Sequence, residues 1–230
     1  MNFEILNLTF SARSIDECKR VQLIIKDLVE ERELDLSKVR TIGGVDVSYC
    51  GDYGIGVLVV ADATNNFNII EQVVSRSRIS FPYIPGFLAF REIPVIIDTL
   101  NLVKDLPDII IVDGQGIAHP RRAGIATHLG TIIQKPTIGC AKSLLYGQYV
   151  DIPNIKGYEG NIIDPLTKEI IGKVIRTKVS SRPVFVSVGN YISLRQSVDI
   201  VKNLSDIGNN RLPLVTFLAD KISKSERKKL

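Results

Sequence analysis

Apolar residues at Val21, Ile24, Ile25 and Leu28 recur at helical spacing within residues 14–33, SIDECKRVQLIIKDLVEERE. That spacing predicts an amphipathic helix with Ser14 or Asp16 as its N-cap. The period then shortens. TIGGVDVSY and GIGVLVVADA flank the turn-rich CGDY, and NIIEQVVSRSRI follows TNN. Three Val/Ile-rich runs joined by short turns predict an antiparallel meander. A helical pattern returns over residues 87–104. DIIIVD at 108–113 is short and continuously apolar, the mark of a buried central strand. Gly124 to Ile133 reads as a helix and PTIGCA at 136–141 as a second buried strand. Residues 161–188 alternate like strands, with Pro165 and Pro183 as breaks, and Ser193 to Ile207 closes with a helix. The order predicts an α/β fold: a mixed central sheet, three antiparallel strands followed by parallel strands, flanked by helices.

Composition narrows this picture without changing it. The 230 residues suit one generous domain over 1–230, with no linker, repeat or low-complexity tract. Apolar residues make up 45% and charged residues 23%, and no apolar run approaches the roughly 18–20 residues of a membrane span. The N-terminus lacks the pattern of a signal peptide. Cys18, Cys50 and Cys140 are odd in number and widely spaced, which fits neither a disulfide framework nor a zinc site and points to reduced thiols in a cytoplasmic protein. The net charge of +4 is compatible with a polyanionic partner. Much of the excess lies in KISKSERKKL, which reads as a frayed basic tail from about residue 221. Nothing resembles a dimerisation seam, so a monomer is expected.

Three carboxylates stand out. Asp46 lies mid-strand among apolar or tiny neighbours; it either faces solvent or sits beside a ligand in the space left by Gly44 and Ser48. Asp113 ends an apolar strand and precedes GQG. It is either a helix cap or turn residue, or a ligand-facing group at a strand's carboxyl end, where Gly114 and Gly116 permit close backbone approach. Glu92 follows the proline-rich loop on a helix and gains interest only as a third member of the set. Convergence of the three would suit Mg²⁺. Lys142, just past PTIGCA, is either a surface lysine or a point charge for a phosphate. In DGQGIAHPRRAGIATHLG, His119, Arg121 and Arg122 occupy a Gly-rich loop suited to a phosphodiester backbone, whereas His128 reads as structural. There is no Walker loop and no Ser-His-Asp or Cys-His arrangement.

Together GGVDVSY, FPYIPGFLAFRE, VDGQGIAHPRRAGIATHLG and IGCAKSLL resemble the endonuclease V family, over roughly residues 14–220. The resemblance implies a ribonuclease H-like fold and Mg²⁺-dependent hydrolysis of DNA containing deoxyinosine, with Mn²⁺ able to substitute. It implies cleavage of the second phosphodiester bond 3′ to the lesion, leaving 3′-hydroxyl and 5′-phosphate ends. It assigns Asp46, Asp113 and Glu92 to the metal site and Lys142 to the chemistry. Tyr83 becomes a wedge at the lesion, with Leu88, Gly114, Gly116 and Ile125 around the flipped base. Pro82 and Pro85 would stiffen the wedge loop and Ile84 would join Tyr83 at its tip, offsetting the unstacking of the base. Phe87 reads as an anchor to the core. One departure is Asp220, in TFLAD, where relatives often carry a histidine near the metals. The alternatives are another ribonuclease H-like nuclease, including one acting on inosine in RNA, and a non-catalytic nucleic-acid-binding module.

Overall fold

The computed structural model describes residues 1–229. Helices α1 (Phe3–Ser11) and α2 (Ile15–Asp27) lead into strands β1 (Thr41–Cys50), β2 (Tyr53–Asp62) and β3 (Asn68–Arg78). Then come α3 (Leu88–Leu100), β4 (Ile109–Val112), α4 (Ile125–Ile133) and β5 (Thr137–Ala141). Strands β6 (Glu159–Ile163), β7 (Ile170–Ile175) and β8 (Val184–Asn190) precede α5 (Leu194–Gly208) and α6 (Leu214–Arg227).

All eight strands form one sheet in the order β3-β2-β1-β4-β5-β8-β7-β6. The meander over β1–β3 is antiparallel, and β4 and β5 add in parallel to β1, as the hydrophobic pattern predicts. The last three strands differ: β8, β7 and β6 are antiparallel to their neighbours. They are joined by turns too short for the crossover that a parallel pair requires. Helices α1–α4 cover one sheet face around Ile25, Ile93, Ile96, Leu129 and Ile132. Helices α5 and α6 cover the other around Val201, Leu204, Val215 and Ala219.

Three boundaries depart from expectation for identifiable reasons. In α2, Ser14 is the N-cap through a capping box with Glu17, but the helix ends at Asp27. Its buried stripe is Cys18, Val21, Gln22 and Ile25, whereas Ile24 and Leu28 face outward. Helix α1 escapes the periodicity because its inward face carries a polar residue, Thr9, whose hydroxyl bonds His128 Nε2 at 2.7 Å. The segment expected to fray from about residue 221 is helical as far as Arg227, and Ser223 within it is fully buried; Leu230 lies outside the described residues. Among the described residues, all three cysteines are free and no helix is long and apolar enough to cross a membrane.

Candidate active site

The cleft at the centre of the sheet is made by a difference in strand length. β1 has ten residues and β4 only four, with Val45 opposite Val112 as their last pair. Beyond that pair β1 keeps β2 on one side and has no strand on the other. Both faces of the sheet therefore open into one cavity of about 300 Å³. The register places Asp46 and Asp113 immediately past the last pair, on neighbouring chains about 5 Å apart. Asp220 enters from α6 on one face and Glu92 from α3 on the other. Lys142, one residue past β5, completes the wall.

Helix α6 reaches this position because β1 carries glycine where the helix crosses it. A Cβ on Gly44 would lie 2.5 Å from the Val215 carbonyl carbon. The space beside Asp46 that Gly44 and Ser48 were expected to leave for a ligand is thus filled by α6. Ser48 Oγ donates to the Ser223 carbonyl at 2.8 Å.

One oxygen from each of Asp46, Asp113 and Asp220 lies within 4.8 Å of the others. Like charges at that spacing repel by roughly 3 kcal/mol per pair at an effective dielectric near 20. The protein answers with cations and hydroxyls. Lys142 Nζ pairs with Asp113 and, at 2.5 Å, with Asp220; Lys224 Nζ holds the other Asp220 oxygen at 2.7 Å. Burial would raise the Asp220 pKa, but these two lysines hold it below the usual range. Burial and the charge of Asp113 raise that of Asp46. Burial alone would lower the Lys142 pKa; Asp113 and Asp220 raise it instead, so the ammonium stays charged. Glu92 is 7% exposed, and burial pushes its carboxyl up to about 8, with Asp46 and Asp113 adding to the effect. It accepts a hydrogen bond from the Tyr49 hydroxyl, and Tyr49 lies under the Arg91 guanidinium at 4.5 Å.

A second cavity, of about 240 Å³, adjoins the first and shares Asp113 and Lys142 with it. Its apolar wall includes Tyr83, Ile84, Pro85, Leu88 and Ile125. Tyr83 is 66% exposed, at the mouth. The loop before α3 is held at Gly86, whose φ of +82° suits glycine. Gln22 Nε2, at 2.8 Å, and Arg121 Nη2, at 3.3 Å, donate to the Gly86 carbonyl. His119 Nε2 lies 3.0 Å from it. His119 Nδ1 accepts from the Arg121 amide, so Nε2 carries the proton and also donates to Gly86. Burial pulls the His119 pKa down to about 4, consistent with a neutral ring. Arg91 Nη1 donates to the Phe81 carbonyl, and Phe87 is buried in the core against Phe90.

Every carboxylate singled out from the sequence lines the first cavity, and Asp220 joins Asp46 and Asp113 more closely than Glu92 does. Leu88, Ile125, Gly114, Tyr83, Ile84 and Pro85 meet at the second cavity, whereas Pro82 is not part of its wall. Gly116 departs from expectation: its amide donates to Ser187 Oγ, and a Cβ there would collide with the Val188 carbonyl, so it serves packing against β8. His119 and Arg121, expected on a phosphodiester backbone, each direct a nitrogen to the Gly86 carbonyl, and Arg121 Nε also bonds Gln22. Arg122 pairs with Asp164 at 2.6 Å and with Glu169 at 3.0 Å. His128 is buried, as expected. Sequence reasoning missed Gln22, Tyr49 and Ser223. Gln22 was legible as the polar member of the helical series Cys18, Val21, Gln22, Ile25. The other two depend on contacts between elements far apart in the chain.

A central sheet that delivers clustered carboxylates into an open cleft, beside an apolar cavity under an aromatic loop, defines a carboxylate-centred α/β nuclease. The sequence profile of Endonuclease V matches residues 23–221. The Endonuclease V of Rippkaea orientalis is 41% identical over 223 residues, covering 96% of this chain and 95% of that protein. Among solved structures, Endonuclease V of Bacillus subtilis superimposes with a TM-score of 0.88 at 34% identity, covering 95% of this chain and 94% of that one. Endonuclease V of Ciona intestinalis, bound to DNA containing an inosine followed by a ribo-adenosine, gives 0.82 at 31% identity over 94% and 98% of the two chains. The chain belongs to the Endonuclease V family.

Proposed function

We propose that this protein recognises deoxyinosine in DNA and hydrolyses the second phosphodiester bond on its 3′ side, leaving 3′-hydroxyl and 5′-phosphate ends. The observation that carries the reading is the shared wall: Asp113 and Lys142 line both the acid-centred cleft and the apolar cavity. A base held in one cavity sets its backbone beside the other. The structure of the Ciona relative with inosine-containing DNA supports the choice of base.

The donor set consists of carboxylate oxygens, which suits Mg²⁺ or Mn²⁺ over softer ions. Asp46, Asp113 and Asp220 would hold the ion, with Glu92 behind them. Such an ion supplies Lewis-acid charge for the phosphate and lowers the pKa of water. Lys142 keeps its proton beside Asp113 and places a positive charge where charge develops on the phosphoryl oxygens. Leu88 and Ile125 exclude water from the cavity that takes the base. Tyr83, exposed at the mouth, fills the gap the base leaves, and the Gly86 clamp holds its loop in place before contact.

Cleavage of a duplex carrying one deoxyinosine, with Mg²⁺, with Mn²⁺ and with chelator, tests the reading. A cut at the bond on the 3′ side of the lesion's 3′ neighbour, only with metal, is expected. Equal cutting of undamaged duplex would overturn the lesion assignment, and cutting of inosine RNA alone would move the substrate to RNA.

A further inference from the structure

Ser223 lies on α6, three residues past Asp220, in the segment whose composition reads as a solvated tail. It is fully buried. A serine hydroxyl carries one proton and has two candidate acceptors here. The Asp220 carbonyl, at 3.1 Å, is an ordinary back-bonding partner within a helix. Asp46 Oδ2 is at 2.5 Å, the length of a hydroxyl–carboxylate bond, and takes the proton. The Ser223 carbonyl in turn accepts from Ser48, two residues along β1 from Asp46 and on the same face. Two bonds therefore run in opposite directions between β1 and α6, from Ser48 to the helix backbone and from the helix side chain to Asp46.

Those two elements carry two of the three clustered carboxylates, Asp46 and Asp220. We propose that Ser223 is a positioning residue for the cation site, its hydroxyl fixing the Asp46 carboxylate so that the remaining lone pairs face Asp113 and Asp220. The role rests on the reading of the acid cluster as a cation site. Docking of α6 does not need the hydroxyl, because the helix already seats on Gly44 through Val215 and Thr216. What the hydroxyl adds is orientation: an acceptor bond spent on Oδ2 removes the free rotation of a carboxylate that repels its neighbours. Partners behind a ligand typically change metal affinity by 10–100-fold when removed.

Mn²⁺ alone serves as the probe, with binding to the whole protein followed by electron paramagnetic resonance without nucleic acid and melting recorded in parallel. Ser223→Ala is expected to weaken Mn²⁺ binding about 10-fold with little change in Tm. Ser223→Cys, close in size but a far weaker donor, is expected to behave like Ala. Wild-type affinity in either variant overturns the proposal, as does a loss of affinity that follows a collapse in Tm. Ser48→Ala breaks the opposite strap without touching a carboxylate; an affinity loss below the roughly 10-fold of the Ser223 variants is expected, and none would count against the proposal even if the Ser223 variants fail to fold. A wild-type protein that binds no Mn²⁺ would instead remove the cation reading itself.

Discussion

The two cavities share a wall and are built on opposite plans. In the acid-centred cleft, charges are crowded and incompletely balanced: three carboxylates gather within 4.8 Å, and Glu92 behind them is pushed up to about 8. In the apolar cavity the polar groups gathered on Gly86 satisfy one another, although Gln115 Oε1 in the same wall has no partner. The Gly86 carbonyl takes donors from α2 and from the loop after β4, and both His119 nitrogens are used. Unspent charge suits a site that must take up a cation and a phosphate. Spent hydrogen bonds suit a wall that must hold its shape while a base enters. The sharpest break of this contrast is Asp113→Ala, which touches both cavities. Loss of a metal ligand worth about 3–4 kcal/mol to the transition state lowers cleavage by about 10²–10³-fold. Tm should hold or rise, because a repelling charge is gone. Single-turnover cleavage at saturating Mg²⁺, with calorimetry alongside, checks both halves; near-normal turnover sinks the ligand assignment.

Tyr83→Ala breaks the other cavity and should leave the first intact. Stacking of a base on an aromatic ring is worth about 1–3 kcal/mol, so discrimination for deoxyinosine duplex falls about 10-fold or more. Mn²⁺ affinity and Tm stay near wild type, because the ring is 66% exposed. The effect shrinks on single strands, which have less stacking to replace. An earlier melt with unchanged duplex cleavage would make the loop structural.

The same contrast sets what was legible in the sequence. Asp46 and Asp113 stood out from pattern, as carboxylates inside and at the end of apolar runs, but pattern left a solvated or capping role open for each, and only the family resemblance put them in a metal site. The strands themselves were plainer, since β4 is a continuous apolar run and β5 a short segment buried throughout. The cleft was not, because it arises from β4 stopping five residues short of the end of its longer neighbour, and strand length relative to a partner is a tertiary quantity. Gly44 shows the limit from the other side. A small residue signals close approach but not of what: a ligand was expected and α6 was found. The basic tail misled for a similar reason. Lys221, Lys228 and Lys229 are exposed, so composition reported the solvated face, while Lys224 pairs with Asp220 in the cleft and Ser223 is buried against Asp46.

Gln22→Ala sharpens the comparison at a smaller scale. It removes one donor to Gly86 and leaves Arg121 Nε without its partner at 2.6 Å. Losing buried hydrogen bonds of this kind costs about 1–3 kcal/mol of stability. A loosened loop should weaken duplex binding more than it slows the cleavage step, whereas the acid cluster should bind Mn²⁺ as before. Equal loss of Mn²⁺ affinity would show that the two cavities are not independent.

The smallest effect lies in the pH dependence of the metal-free protein, where the two plans pull in opposite directions. Glu92 has a folded pKa of about 8 against an ordinary 4.5, chiefly through burial. The folded state therefore holds a proton that the unfolded chain has released, and the stability this contributes is complete below pH 4.5 and lost as pH rises to 8. His119 and His128 go the other way. Burial lowers them to about 4 and about 3 from an ordinary 6.5, so the unfolded chain takes up protons first and stability falls as pH drops below 6.5. In chelator, Tm should peak where the two windows overlap, between pH 4.5 and 6.5. Glu92→Gln removes the alkaline arm alone: at pH 5 it should melt with the wild type, and at pH 8 a few degrees above it, since 1–2 kcal/mol moves Tm by about 2–8 °C in a chain this size. Saturating Mg²⁺ should close the gap, because a cation among Asp46, Asp113 and Asp220 restores the reason to ionise Glu92. A gap that persists in Mg²⁺ would place Glu92 outside the reach of the metal and reduce it to a buried partner of Tyr49.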